Sequence, residues 1–121
     1  MKLETKDLLT GDEISSKEFL ELIDFSIKLK EENKTVKGKQ LLENKTLAML
    51  FEKPSTRTRV SFETGMKQLG GHTIILSLNE MQHSRGESVE DTAKTLSGYV
   101  DGIVARVYEH SFIEDLAKHA T

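Results

Sequence analysis

Apolar positions along the chain change period several times, and each change marks an element. Phe19, Ile23 and Ile27 recur at i, i+4 and i+8, with Leu22 and Leu29 widening the stripe, and Ser15 with Glu18 makes a capping box before it. A helix is predicted over 15–30, with the Phe19/Ile23/Ile27 stripe read as core. Residues 33–45 are polar, rich in Lys and Asn with Gly38, and read as a loop. Thr46-Leu47-Ala48-Met49-Leu50-Phe51 is a continuous apolar run, the pattern of a strand buried on both faces. Pro54 stops it, because proline cannot donate to a ladder and pushes its predecessor out of helical space. A helix follows over 56–69, with Phe62, Met66 and Leu69 on one face and Gly70-Gly71 as the stop.

The second half repeats the alternation. Residues 72–78 carry the β-branched run Thr73-Ile74-Ile75-Leu76 and read as a strand, and 79–87 read as a polar loop. Ser88 with Asp91 opens a helix to about Ser97, closed by Gly98. Residues 102–107 form a third strand, and Ser111 with Glu114 caps a last helix to His119. Strand and helix alternate three times after the first helix. This is the signature of an α/β domain, a parallel sheet with crossover helices on both faces in three layers. The alternation calls for another strand after the last helix, so the chain reads as cut off rather than finished.

In such sheets ligands bind beyond the carboxyl ends of the strands. Three polar segments fall there: Pro54 to Arg59, the Gln82–Glu87 loop, and Arg106. The first is the most informative. Ser55-Thr56-Arg57-Thr58-Arg59 opens a helix, where the dipole and the unpaired N–H groups already favour negative charge. Ser15, Ser88 and Ser111 each have an acid three residues on, whereas Ser55 has Thr58. An acid there would occupy an anion site and repel phosphate. Hydroxyls, backbone N–H groups and arginine instead donate to phosphate oxygens. Arg106 reads equally well as a strand-end arginine paired with Asp101 or Glu109. Gln82 and Arg85 also fit an ordinary solvated loop, and His110 fits a helix start better than a catalytic base.

Composition narrows the ligand. With 121 residues, 36% hydrophobic and 31% charged, the chain fits one globular domain with a core rather than a disordered segment. The net charge of −3 argues against a nucleic-acid partner, and a local basic cluster within it suggests a small anion. Cysteine is absent, so disulfides and thiolate zinc sites are excluded. His72, His83, His110 and His119 show no ligand spacing, so no metal or cofactor is expected. No run approaches membrane-spanning length and no secretory h-region is present, making a cytoplasmic protein without membrane contact the default. No P-loop or G-x-G-x-x-G run supports a nucleotide site.

The run Phe51 to Glu63 resembles the carbamoyl-phosphate signature of the aspartate and ornithine carbamoyltransferases, and the likeness extends through Leu69-Gly70-Gly71. Gln82 to Ser97 and Val100 to Arg106 resemble the family's second loop and helix and its third strand. Phe51-Glu52-Lys53 and Arg85-Gly86-Glu87-Ser88 look like the ornithine branch; the aspartate branch typically has Phe-x-Glu before the signature and lysine where Arg85 stands. Aspartate and putrescine stay open as acceptors. The resemblance implies that residues 1–121 are the carbamoyl-phosphate-binding domain of a two-domain enzyme. Ser55, Thr56, Arg57 and Thr58 would hold the phosphate, and Arg106 with Thr58 would polarise the carbonyl oxygen. Gln82 would reach into a neighbouring subunit's site within a homotrimer. The implied reaction joins carbamoyl phosphate and ornithine to give citrulline and phosphate in arginine metabolism. The family's later His-Pro-x-Gln segment and its amino-acid-binding domain are absent, which implies little or no transferase activity for these residues alone. A non-catalytic phosphate-binding or assembly domain is the alternative from another class.

Overall fold

The computed structural model describes residues 2–35, 40–79 and 88–121. Its elements are α1 (Ser16–Thr35), β1 (Thr46–Phe51), α2 (Thr56–Gln68), β2 (His72–Ser77), α3 (Val89–Ser97), β3 (Gly102–Arg106) and α4 (His110–His119). Residues 1–39 and 40–121 form two compact units.

In the first unit the predicted capping box forms in both directions. The Glu18 N–H donates to Ser15 Oγ at 3.1 Å, and the Ser15 N–H donates to Glu18 Oε2 at 2.8 Å. The Ser15 backbone N–H, followed by its hydroxyl, lowers the Glu18 pKa. Just before it, the Glu13 carboxylate gathers the N–H groups of Leu9, Thr10 and Gly11 at 3.1, 3.0 and 2.8 Å. Gly11 turns the chain there with φ 97°. Its own backbone N–H and these donors hold the Glu13 pKa down at about 2.

Two expectations about α1 need correction. The helix runs to Thr35 rather than stopping at residue 30. Apolar periodicity ends at Leu29, but the solvated last turn is held by an i, i+3 pair, Lys34 Nζ to Glu31 Oε1 at 2.8 Å, with lysine favourably placed at the C-terminus. Nor is the stripe core: Phe19, Ile23 and Ile27 are 52%, 43% and 57% exposed. This unit offers a single helix and no second layer of its own to cover them.

The second unit is a parallel sheet in the order β2-β1-β3. The apolar run predicted as a doubly buried strand is its centre, and Ala48, Met49 and Leu50 have no exposed surface. Leu50 pairs with Leu76 on one side and Ala105 on the other, and Phe51 pairs with Ser77 and Arg106. The crossovers β1-α2-β2 and β2-α3-β3 run in opposite directions across the sheet, so right-handed connections put α2 and α3 on opposite faces. On the α3 face, Leu50, Leu78, Ala93, Phe112 and Leu116 form a buried cluster flanked by Leu76, Ile103 and Ala105. The α2 face is less complete. Met66 and Leu69 are half-buried, but Phe62 on the same helix face is 41% exposed.

Helix ends follow the sequence in two cases of three. At the end of α2, Gly71 N–H donates to Met66 O at 2.8 Å and Gly70 N–H to Lys67 O at 3.1 Å, with Gly70 at φ 88°. This is the Schellman arrangement that the glycine pair announced. At α3 the Asp91 N–H donates to Ser88 Oγ at 3.0 Å as expected. At α4 the expected Ser111 cap does not form. The N-cap is Glu109, without a side-chain bond, and Ser111 lies inside the helix. Glu114, the acid of that expected box, instead faces His110 Nε2 at 3.5 Å.

Two outcomes follow. Gly70→Ala forces a side chain to φ 88° and against Gln40 Oε1, so it is expected to cost about 1–2 kcal/mol in urea unfolding. For Glu13 the folded pKa of about 2 lies below the ordinary 4.5, so its contribution is complete above the ordinary value and lost as pH falls through about 2. A carboxyl titration followed by NMR should place the Glu13 midpoint near the lower value, and Glu13→Gln should remove that component of acid sensitivity.

Candidate anion site at the carboxyl edge of the sheet

The end of β1 is tied to both neighbours. Leu78 N–H donates to Phe51 O and Glu52 N–H donates to Arg106 O, each at 2.9 Å. Parallel pairing thus continues one residue past the strand, and Phe51 and Arg106 reach the edge in register. Strand alternation puts the Arg106 side chain on the same face as Leu47 and Met49, the α2 face. From this fixed edge, three residues lead to Ser55 and the start of α2.

That start differs from the others in geometry as well as sequence. Ser55 is the N-cap at φ −157° and ψ 89°, but its side chain caps no N–H. Its hydroxyl bonds the Thr58 hydroxyl instead, 2.7 Å away. The first intrahelical bond is Arg59 N–H to Ser55 O at 3.0 Å. The N–H groups of Thr56, Arg57 and Thr58 therefore find no acceptor among the described side chains, and the first turn holds no acid. By contrast, α1 and α3 both close this position with a serine.

The two arginines of the run part ways. Arg59 Nε turns along the helix to Glu63 Oε2 at 3.2 Å. It belongs to the exposed i, i+4 surface rather than to the site. Arg57 is exposed and, among the described residues, makes no ion pair. Arg106 is likewise exposed and unpaired among the described residues, so the pairing with Asp101 or Glu109 does not form. Asp101 is at the opposite end of β3, roughly 16 Å along the strand from Arg106. There its carboxylate accepts from Thr46 N–H at 2.9 Å and pairs with Lys45 at 3.5 Å, closing the amino edge of the sheet. Gln82, His83 and Arg85 lie outside the described residues.

Ser55, Thr56, Arg57, Thr58 and Arg106 thus stand at one sheet edge, with hydroxyls, N–H groups that no described side chain claims, and two guanidinium groups. The sequence reading missed one further contact, Lys53 Nζ lying 5.1 Å from the centre of the Tyr108 ring. The available signal was positional: each residue is two places beyond an in-register strand end. Among the described residues no cluster of metal-ligating side chains occurs, and no helix is long and apolar enough to cross a membrane.

The profile of the family described as aspartate/ornithine carbamoyltransferase, carbamoyl-P binding domain, matches residues 6–121. The chain belongs to this carbamoyltransferase family. It is 53% identical over 120 residues to an ornithine carbamoyltransferase of Bacillus thuringiensis, covering 99% of this chain and 37% of that protein. The solved ornithine carbamoyltransferase of Pyrococcus furiosus superposes with a TM-score of 0.92 at 49% identity, over 100% of this chain and 39% of the other. The catalytic subunit of M. jannaschii aspartate transcarbamoylase gives 0.86 at 38% identity, over 96% of this chain and 38% of the other. The chain therefore spans a little over one-third of the length of these relatives.

The carbamoyltransferase helix start offers a direct test. Thr58→Glu would restore the acid found after Ser15 and Ser88. It is expected to stabilise the helix start by about 0.5 kcal/mol and to weaken binding of inorganic phosphate at least ~tenfold, measured by denaturant unfolding and by calorimetry.

Proposed function

We propose that this chain supplies the carbamoyl-phosphate half of a carbamoyltransferase site whose acceptor is ornithine. The observation that carries the reading is the start of α2: donors at Thr56, Arg57 and Thr58 without a side-chain acceptor among the described residues, no acid in the first turn, and Arg106 in register on the α2 face. Ser55, Thr56, Arg57 and Thr58 hold the phosphate. Arg106 and the Thr58 hydroxyl polarise the carbonyl oxygen. Gln82 joins them from a neighbouring subunit of a homotrimer.

The chemistry suits these groups. The acceptor amine attacks the carbonyl carbon, the carbonyl electrons move onto oxygen, and a tetrahedral intermediate carries the new negative charge. Fixed guanidinium and hydroxyl donors stabilise that charge better than the neutral ground state. The intermediate then expels phosphate as the C–O bond breaks, and Arg57 offsets the charge on the leaving group. The attacking nitrogen gives its proton to the departing phosphate, and the products are citrulline and phosphate. Neither a covalent enzyme intermediate nor a metal enters these steps, and alignment of the two reactants lowers much of the remaining barrier. The 53% and 49% identities to two ornithine carbamoyltransferases support ornithine as acceptor. A role in arginine metabolism and a cytoplasmic location accompany that reading.

Calorimetry with carbamoyl phosphate tests the site. Arg57→Ala is expected to weaken binding roughly 10- to 100-fold, the range for a lost hydrogen bond to a charged group. Unchanged affinity would refute the assignment. Residues 1–121 alone should give no citrulline from ornithine and carbamoyl phosphate, and turnover near that of a full-length relative would show that the acceptor site lies within them.

A further inference from the structure

The contact between Lys53 and Tyr108 has no part in the sheet and none in the donor set. Lys53 Nζ is 5.1 Å from the ring centre, within the distance at which an aromatic face attracts an ammonium group. Phe51 and Arg106 are the last paired residues of β1 and β3, and Lys53 and Tyr108 each lie two positions further on. Between them the Glu52 N–H bonds Arg106 O at 2.9 Å. The two loops are therefore joined three times in succession, by the last ladder pair, by a backbone bond and by side chains.

What these loops carry makes the joining consequential. One reaches Ser55 two residues after Lys53, through Pro54 with its fixed φ. The other begins at Arg106. Tyr108 is 65% exposed, so burial does not hold its ring, and Lys53 has no carboxylate partner among the described residues.

We propose that Lys53 and Tyr108 are a positioning pair that sets the spacing between the start of α2 and Arg106. The proposal rests on the reading of that edge as the carbamoyl-phosphate site. A guanidinium and a set of helix N–H groups grip one ligand more tightly when their separation is fixed before it arrives. Neither member of the pair needs to touch the ligand for this.

The test uses NMR and calorimetry on this chain and on Lys53→Met, Tyr108→Leu, the double variant and Tyr108→Phe. In the unsubstituted chain the Lys53 side-chain protons next to Nζ should be shifted upfield by the ring. Lys53→Met and Tyr108→Leu should each speed exchange of the Glu52 amide and weaken carbamoyl phosphate about two- to fivefold, the effect of an exposed cation–aromatic contact. The double variant should be no weaker than either single one, and Tyr108→Phe, which keeps the ring face, should behave as the unsubstituted chain. Unshifted Lys53 protons, or unchanged Glu52 exchange in Tyr108→Leu, overturn the pair. Additive losses in the double variant also overturn it, since Lys53 would then act on the anion through its own charge. No binding of carbamoyl phosphate by the unsubstituted chain overturns the reading of the site, while the Lys53 shift and Glu52 exchange still decide whether the pair exists.

Discussion

The pairing of β1 with both neighbours is the constraint on which the rest of this fold depends. Ala48, Met49 and Leu50 are sealed from solvent, and the ladder continues beyond Phe51 through the bonds from Leu78 and Glu52. Parallel register is fixed by which face each residue must bury, since a slip of one residue would exchange the faces. A strand held in this way delivers the chain at a defined point on the carboxyl edge, and Arg106 arrives beside it. Asp101 closes the other end, taking the Thr46 N–H while its own N–H bonds Thr46 O at 2.9 Å. The edge that bears the anion donors is thereby left as the polar, open one.

The start of α2 keeps an unfavourable arrangement that the other helices avoid. A serine that accepts from an N–H, or an acid in the first turn, would stabilise the helix. Ser55 instead engages Thr58, and the donors behind it are claimed by no described side chain. Local rules are broken most readily where a ligand completes them. An anion bound there would supply the acceptor for the N–H groups and the opposite charge for Arg57 at the same time. The missing acid and the bare donors are thus two views of one requirement.

Strands, their order in the chain and the start of α3 were legible because each is written in short-range pattern: the apolar run at 46–51, the β-branched run at 73–76, Ser88 with Asp91. The Schellman end of α2 was legible from Gly70-Gly71 for the same reason. What escaped depends on choices between partners. Glu114 had Ser111 and His110 within reach on one helix, and the structure takes His110. Arg59 could have faced the anion, but Glu63 sits one turn away on its own helix. Arg106 was ambiguous because Asp101 is near in sequence, while a strand places the two at opposite edges. The stripe of α1 showed amphipathicity but not what would cover it.

The uneven burial of the two faces says how the site is held. The α3 face is a closed apolar cluster, whereas α2 contains no buried residue, and Val60 and Phe62 are 54% and 41% exposed. Packing alone therefore does not fix the helix that carries the anion donors. Its two ends do. At the C-terminal end the Schellman bonds are joined by Leu42 N–H donating to Leu69 O at 2.9 Å, and a side chain at Gly71 would collide with Met66 Cε. At the N-terminal end the ladder from β1, the Glu52 bond and the Lys53–Tyr108 contact bring the chain to Ser55. A helix tethered at both ends and loosely packed between them can present its first turn accurately without a core beneath it. Directional bonds set the positions of the donor groups more sharply than non-directional apolar burial does, and this edge relies on them.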